Sequence, residues 1–167
     1  MTQEMDRRSF LSTAWKVGLG FIAVAGAWTT WDLLRPRETA GSSGPVRTVP
    51  AASVTTEDVV EVTAARSYLT REGEEVIALS ERCPHLSCRV PFCESSGQFE
   101  CPCHGSFFNR IGEYRAGPSP RGMDRHPTEI VDGIVVVDPD VVVEGAPKSE
   151  AETINEPVRG PSCVEEA

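Results

Sequence analysis

The chain has 167 residues, of which 40% are hydrophobic, and its formal net charge is -9. This length allows one domain of about 100 residues with additional segments at its ends. The acidic balance argues against a phosphate-binding surface of clustered lysines and arginines, so nucleic acid is not an expected partner. Six cysteines in a chain of this size indicate a metal site or disulfide bonds.

The N-terminal segment, residues 1–11, contains the pair Arg7-Arg8 followed by Ser9, Phe10 and Leu11. A twin-arginine pair ahead of an apolar stretch predicts a Tat signal, which directs folded proteins across a membrane. The same arginines could instead serve as the positive-inside topology signal of a membrane helix.

Residues 12–34 form an apolar segment interrupted only by Lys16 and Asp32. A segment of this length can span a hydrocarbon core of about 30 Å as a helix. Tryptophans lie near both of its ends, as expected at membrane interfaces. The small residues Ala23-Val24-Ala25 would also suit a signal-peptide cleavage site. Because the apolar stretch continues to Leu34, we expect a retained transmembrane anchor.

The remaining chain divides by composition into three parts. Residues 35–50 are rich in Gly, Ser, Pro and Thr and predict a flexible linker. Residues 145–167 are polar and acidic and predict an extended tail. Between them, residues 51–144 contain short apolar runs and turn signals but no helical periodicity over three turns, which predicts an all-β sandwich or open barrel. Strands are expected at 54–62, 67–70, 76–80, 98–101, 129–131 and 134–137, the last two joined by the hairpin turn Asp132-Gly133.

Two short blocks in this β domain have the composition of a metal site. They are Cys83-Pro84-His85-Leu86-Ser87-Cys88 and Cys101-Pro102-Cys103-His104-Gly105-Ser106. Each block supplies a Cys and His pair and a second cysteine. Thiolates combined with imidazoles suit iron–sulfur clusters, zinc or copper rather than calcium or magnesium.

The pattern Cys-x-His followed after fifteen residues by Cys-x-x-His resembles the Rieske [2Fe–2S] proteins. The resemblance implies one cluster per chain, with Cys83 and Cys101 on the inner iron and His85 and His104 on the outer iron. A Cys2His2 zinc site could use the same four residues. Structural zinc sites usually space their paired ligands by two to four residues, however, and have no need of the two additional cysteines.

The resemblance also assigns the other cysteines of the blocks. Cys88 and Cys103 stand where the quinol-oxidising Rieske proteins have a disulfide between the two cluster loops. Cys93 and Cys163 have no role in this assignment. In an oxidising compartment they could form a second disulfide, stay free or bond to a partner. His126 belongs to neither block and is expected in a surface loop.

Three further features match the quinol-oxidising members. Gly117 to Arg121 resembles their proline loop, with Pro118 covering the cluster, and Ser106 matches a serine that hydrogen-bonds a bridging sulfide. Leu86 is expected in the apolar rim around the histidines. Phe108 departs from the pattern, because many high-potential members have a tyrosine there that donates to a cysteine sulfur. The missing hydrogen-bond donor implies a lower reduction potential of the cluster, and a lower potential suits a menaquinol-type electron donor.

The resemblance implies the electron-transfer subunit of a bacterial quinol:cytochrome c oxidoreductase of the bc1 or b6f type. Its head would lie on the periplasmic side of the cytoplasmic membrane, anchored in the bilayer by a single helix. Its partners would be a cytochrome b-type membrane subunit, a cytochrome c-type acceptor and membrane quinol, with His104, next to His85, receiving the quinol proton. The alternatives are the small Rieske subunit of a periplasmic molybdenum oxidase and a Rieske ferredoxin.

Overall fold

The computed structural model describes residues 6–35, 44–150 and 152–164. The chain divides into two compact units, Met1–Gly41 and Ser42–Ala167. In the first unit the described residues form one helix, α1 (Arg7–Leu34), with no buried residue. Its 28 residues give a length of about 42 Å, and it is apolar enough to cross a membrane. The predicted N-terminal apolar helix is therefore present as a candidate membrane span, and it begins at Arg7 rather than at Ser12.

The second unit is built almost entirely of strands. Its described residues form β1 (Val46–Pro50), β2 (Val60–Val62), β3 (Ser67–Glu72), β4 (Glu75–Ser80), β5 (Phe92–Cys93), β6 (Gln98–Cys101), β7 (Ser106–Phe108), β8 (Tyr114–Ala116), β9 (Arg125–His126), β10 (Thr128–Val131) and β11 (Ile134–Val137). They pair into three antiparallel sheets, ordered β1-β11-β10, β2-β3-β4-β9 and β5-β6-β7-β8. No sheet closes into a barrel among these residues. The expectation of an all-β head is confirmed.

The sheet β2-β3-β4-β9 is the central layer of this unit. Tyr68 pairs with Leu79 and Leu69 pairs with Ala78 across β3 and β4. Tyr68 and Leu79 belong to one buried hydrophobic cluster, and Leu69 and Ala78 to another. Because successive side chains of a strand point to opposite faces, the sheet has a hydrophobic core on each side. The first of these cores also contains Cys83 and Cys101.

The N-terminal border of the β head differs from the sequence-based expectation. Val46–Pro50, the end of the predicted linker 35–50, forms β1 and pairs with β11. Val46 and Val49 pack against the second core cluster, which explains why this stretch is ordered. Residues 36–43 of the linker lie outside the described residues.

The predicted strand 54–62 is too long. Only Val60–Val62 forms a strand. The hydroxyl of Thr55 accepts hydrogen bonds from the backbone N–H groups of Glu57 and Asp58, each 3.2 Å away, and this local turn replaces strand pairing.

The hairpin between β10 and β11 is confirmed. Asp132 and Gly133 both have positive φ, 52° and 76°. Two consecutive left-handed residues match the twist of a two-residue hairpin, which is why the Asp-Gly pair predicted it.

Candidate metal centre

The first Cys and His block forms a closed turn after β4. The backbone N–H of Cys83 donates to the carbonyl oxygen of Cys88 at 2.7 Å, and the N–H of Ser87 donates to the carbonyl of Cys83 at 2.8 Å. Ser87 has φ +60°, which lets the chain reverse at this point. The turn buries Cys83, which is 2% exposed, and leaves His85 half-buried.

The second block connects β6 to β7. Cys101 at the end of β6 pairs with Ser106 at the start of β7. The N–H of Gly105 donates to the carbonyl of Cys101 at 3.1 Å, and Gly105 has φ +66°. This tight turn buries Cys101 at 2% exposure and leaves His104 exposed.

The fold brings the two blocks together. A disulfide joins Cys88 to Cys103, as predicted. The imidazole rings of His85 and His104 lie with their centroids 5.0 Å apart and nearly perpendicular to each other. Cys83 and Cys101 are free thiols. The two histidines therefore stand on the solvent side of the site, and the two free cysteines stand on the core side.

Both free cysteines are buried, and the surroundings of Cys83 act on the pKa of its thiol. Burial raises the pKa of the Cys83 thiol; the backbone N–H of His85 opposes that rise, whereas the nearby Cys101 thiol adds to it. The Cys83 thiol is therefore difficult to ionise by itself, and a bound cation would supply the charge that stabilises its thiolate. Cys83, His85, Cys101 and His104 could thus hold a metal group that prefers sulfur and nitrogen ligands.

The predicted proline loop covers the second block. A Cβ atom on Gly117 would lie 2.3 Å from the carbonyl oxygen of Gly105, and Gly117 has φ +97°. The hydroxyl of Tyr114 donates to the carbonyl of Gly117 at 2.7 Å. Ser119 is buried and its N–H donates to the hydroxyl of Ser106 at 3.2 Å, while Pro118 is exposed. The loop is therefore fixed tightly to the backbone of the second block.

Leu86 lies at the exposed tip of the first block. Its side chain is 65% exposed although it is fully apolar. It stands next to His85, so an apolar surface and an imidazole are offered side by side.

The C-terminal segment is docked on the head and not free of it. We call residues 152–164 the C-terminal strap. Cys93 and Cys163 form a second disulfide, the pairing that the sequence left open. Buried Arg110 binds the strap residue Glu156 at 2.8 Å, and the N–H of Thr153 donates to the carboxylate of Glu113 at 3.0 Å.

Sequence reasoning missed the residue that receives the end of the strap. Glu100 on β6 is a fully buried carboxylate, at 0% exposure. Burial acts to raise its pKa, but hydrogen bonds from Ser96, Ser162 and the backbone of Cys163 hold the pKa of this carboxyl below its usual range. The only sequence signal was an acidic residue between two core positions of a strand, Phe99 and Cys101.

The position of His126 differs from the sequence-based prediction. It was expected in a surface loop, but it lies on β9, is 8% exposed, and its Nδ1 is 2.8 Å from the carbonyl oxygen of Val141. The pairing of β9 with β4 removes it from solvent. It does not belong to the metal centre.

A small β protein with two disulfide-linked Cys and His loops under a proline loop belongs to the class of metal-binding β domains. Residues 43–130 match the model of the Rieske [2Fe-2S] domain. The chain is a member of the Rieske family, and its cofactor is a [2Fe–2S] cluster. The free buried cysteines and the paired histidines fit that group, and the family match sets the zinc alternative aside.

Similar proteins of known sequence include iron–sulfur subunits. The cytochrome b6-f complex iron-sulfur subunit of Chlorobaculum tepidum is 27% identical over 140 residues, which is 80% of this chain and 76% of that relative. The cytochrome b6-f complex iron-sulfur subunit 2 of Cyanophora paradoxa is 41% identical over 66 residues, 39% of this chain. In that second case the chain spans only 27% of the relative's length.

Among solved structures, the similarity is weaker. A chain of the hyperthermophilic respiratory Complex III is 25% identical, with 72% of this chain and 98% of that chain covered and a TM-score of 0.44. The cyanobacterial plasma membrane Rieske protein of Synechocystis PCC 6803 is 27% identical over 43% of this chain and 75% of that chain, with a TM-score of 0.39.

Proposed function

We propose that this chain is the iron–sulfur subunit of a membrane quinol:cytochrome c oxidoreductase, which takes an electron and a proton from quinol and reduces a cytochrome. The observation that supports the proposal is that the histidines and the cysteines of the site lie at different depths. His85 and His104 lie 5.0 Å apart toward solvent, whereas Cys83 and Cys101 are buried. A substrate can therefore reach the imidazoles but not the thiolates.

In this proposal the ligands divide between the two irons by their depth. Cys83 and Cys101 would hold the inner iron, and His85 and His104 would hold the outer one. The Cys88–Cys103 disulfide keeps the two loops at a fixed separation, and it preserves the geometry of all four ligands.

The chemistry at the surface is a coupled transfer from quinol. When bound, the cluster supplies a one-electron acceptor whose potential depends on its ligands and hydrogen bonds. An exposed imidazole nitrogen of His104 would accept one quinol proton as the quinol gives up one electron. Exposed Leu86 offers an apolar contact beside the histidines for the quinol ring.

The proline loop and Ser106 support this chemistry from the other side. Because the Ser106 oxygen accepts the Ser119 N–H, its own hydrogen is left for a second partner, and we assign that partner as a bridging sulfide. Pro118 restricts the backbone motion of the loop, and the contacts of Gly117 and Ser119 hold the loop against the second block.

The anchor places the head near its partners. Helix α1 crosses the cytoplasmic membrane once, and residues 35–45 connect it to β1. The head then lies on the extracytoplasmic side, between a cytochrome b-type subunit that binds the quinol and a cytochrome c-type acceptor. Phe108 supports menaquinol as the electron donor. A phenylalanine cannot donate a hydrogen bond to a cysteine sulfur, so the reduction potential of the cluster would be lower than with a tyrosine, and a lower potential suits menaquinol.

The ligand assignment is tested on the purified full-length chain by visible absorption and the EPR signal of the reduced cluster. We expect Cys83→Ser, Cys101→Ser and His104→Asn each to abolish the cluster signal. The third histidine of the chain provides the control, since His126→Asn removes an imidazole outside the centre and is expected to keep the signal. A full signal in any of the three ligand variants would overturn the assignment.

The electron donor is tested separately with the loaded wild-type chain in detergent. We expect menaquinol to reduce the cluster. In a separate experiment, we expect a b-type cytochrome to copurify with the chain from native membranes. Copurification with a molybdenum subunit and no response to quinol would favour the molybdenum oxidase alternative. A chain recovered without any membrane partner would favour a ferredoxin.

Export is tested by replacing Arg7 and Arg8 together with lysine, which keeps the charge. A Tat signal requires the arginines, so the head is expected to stay in the cytoplasm. Unchanged export would show that the arginines act only as a topology signal.

A further inference from the structure

Glu100 is the most deeply buried charged group that the proposed function does not use. Its two carboxylate oxygens have different partners. Oε1 accepts from groups of the same hairpin, the Ser96 hydroxyl at 2.6 Å and the Gln98 amide at 3.3 Å. Oε2 accepts only from the C-terminal strap, through the Ser162 hydroxyl at 2.7 Å, the Cys163 N–H at 2.7 Å and the Val164 N–H at 3.1 Å.

The carboxylate and the strap depend on each other. A buried carboxylate is strongly unfavourable unless several donors compensate for lost hydration. The strap supplies three of the five donors, and one of them is the backbone N–H of Cys163 itself, at 2.7 Å. The charge of Glu100 therefore fixes the position of Cys163 without using its sulfur.

Other contacts align the same part of the strap with the turn that carries Cys93. The N–H of Arg159 donates to the carbonyl of Ser96 at 2.9 Å, and the hydroxyl of Ser95 donates to the carbonyl of Pro161 at 2.8 Å. Gly160 passes so close that a Cβ atom would lie 2.7 Å from the carbonyl oxygen of Ser95. The strap is thus held on both sides of the disulfide by bonds that reduction would leave intact.

We propose that Cys93–Cys163 is a redox modification site that opens and recloses in place, with Glu100 as its positioning residue. Glu100 keeps the strap seated after reduction, so the two thiols stay adjacent and the bond reforms readily. The inference does not depend on the electron donor or on the proposed electron-transfer function.

The exchange has a defined direction of attack. Cys163 is exposed, whereas Cys93 is 1% exposed. A thiolate of an external dithiol attacks the Sγ of Cys163, the Cys93–Cys163 bond breaks, and Cys93 leaves as a thiolate that takes a proton from solvent. The second thiol of the dithiol then releases Cys163, so two electrons pass to the protein and the dithiol becomes a disulfide. Glutathione disulfide reverses the reaction.

The first test measures the equilibrium of each disulfide against glutathione in the cluster-loaded full chain, by alkylation and peptide mass. Glu100→Gln keeps the size of the side chain and removes its charge. It is expected to lower the equilibrium constant for closing Cys93–Cys163 by about tenfold or more, since a hydrogen bond to a charged group contributes about 1.5 kcal/mol or more. The Cys88–Cys103 bond in the same molecules should change less than about twofold.

Two further variants separate the loss of positioning by Glu100 from a general loss of structure. Glu94→Gln removes a charge from the exposed part of the same turn and should leave both equilibria as in the wild type. Ser162→Ala removes one donor and should give a smaller shift in the same direction as Glu100→Gln, which keeps the test available if Glu100→Gln folds poorly. Equal shifts in both disulfides, or no shift in Ser162→Ala and Glu100→Gln, would overturn the proposal.

The second test asks whether the strap stays seated without the bond. The reporter is tryptic cleavage between Arg159 and Gly160, followed by mass in the loaded chain. Cys163→Ser alone should keep this cleavage slow, and Cys163→Ser combined with Glu100→Gln should accelerate it by about tenfold or more. Rapid cleavage in Cys163→Ser alone would show that the disulfide, and not Glu100, holds the strap.

Discussion

The backbone N–H of Ser119 donates a hydrogen bond to the hydroxyl oxygen of Ser106, 3.2 Å away. This bond joins the proline loop to the first residue of β7, which is also the last residue of the second Cys and His block. The close approach of Gly117 to Gly105 fixes the same two segments at a second point. The proline loop therefore moves with the block that carries Cys101 and His104.

Gly117→Ala should open this contact. A Cβ at this position would lie 2.3 Å from one backbone oxygen and 2.6 Å from the Cα of Ser106, in a left-handed conformation. We expect a loss of about 2 kcal/mol or more in the free energy of unfolding and faster loss of the visible cluster absorption on heating. Denaturant titration and thermal bleaching of the full chain measure the two effects.

Gly133→Ala is the matched control for that substitution. Gly133 also has a positive φ, but a Cβ there would meet no atom within 4 Å. It should cost only the backbone strain, about 1 kcal/mol, and leave cluster bleaching unchanged. Equal bleaching rates in both variants would contradict the role of the Gly117 contact.

The two disulfides should affect different properties. Cys88 and Cys103 are 15 residues apart, and Cys93 and Cys163 are 70 apart. A chain-entropy model gives losses of about 3 and about 4.4 kcal/mol for the respective alanine pairs. The pair at 88 and 103 should nevertheless lose the cluster faster, because that bridge joins the two ligand blocks. Chemical denaturation and bleaching of the visible spectrum measure both; the reverse order in bleaching would refute the assignment.

Phe108→Tyr should raise the potential of the cluster. Phe108 is 0% exposed and lies in the same core cluster as Cys83 and Cys101. A phenol hydroxyl that donates to a thiolate sulfur stabilises the reduced state, by up to about 60 mV for one such bond. Redox titration followed by EPR measures the shift. Phe92→Tyr, a half-buried ring on β5, should leave the potential unchanged, and a Phe108→Tyr value at or below the wild type would count against the menaquinol hypothesis.

Contact between the strap and Glu113 should weaken in acid. Partial burial raises the pKa of Glu113, but hydrogen bonds led by those from Thr153 and Asn109 outweigh it and set the pKa below its usual range. The stabilisation is therefore present above the unfolded-state pKa, about 4.3, and is lost as the pH falls through the lower folded-state value. The amide shift of Thr153 by NMR should follow this titration. In Glu113→Gln the shift should be independent of pH over that window, and a wild-type midpoint above 4.3 would contradict the sign.

The features that the sequence predicted correctly are local ones. Asp132-Gly133 defines its hairpin from two adjacent residues, and the two Cys and His blocks each form a turn from six consecutive residues. The Cys88–Cys103 bond followed from the resemblance that those blocks carry. In each case the information lies within a short stretch of chain, where spacing and turn chemistry are sufficient.

The features that escaped prediction depend on distant contacts. β1 forms because β11, far along the chain, offers it an edge, and His126 is buried because β9 pairs with β4. Glu100 accepts a hydrogen bond from Val164, 64 residues away. Composition describes the strap as acidic and extended, and it carries no sign of the buried carboxylate that receives it.

The pairing of β1 with β11 has a mechanical consequence. The chain enters the head through β1, and this strand belongs to a different sheet from β6 and β7, which flank the second ligand block. Tension that arrives along the chain from its N-terminal side is borne first by the hydrogen bonds between β1 and β11. We therefore expect a pull from that side to break pairs of the β1–β11 ladder before pairs of the sheet that carries Cys101.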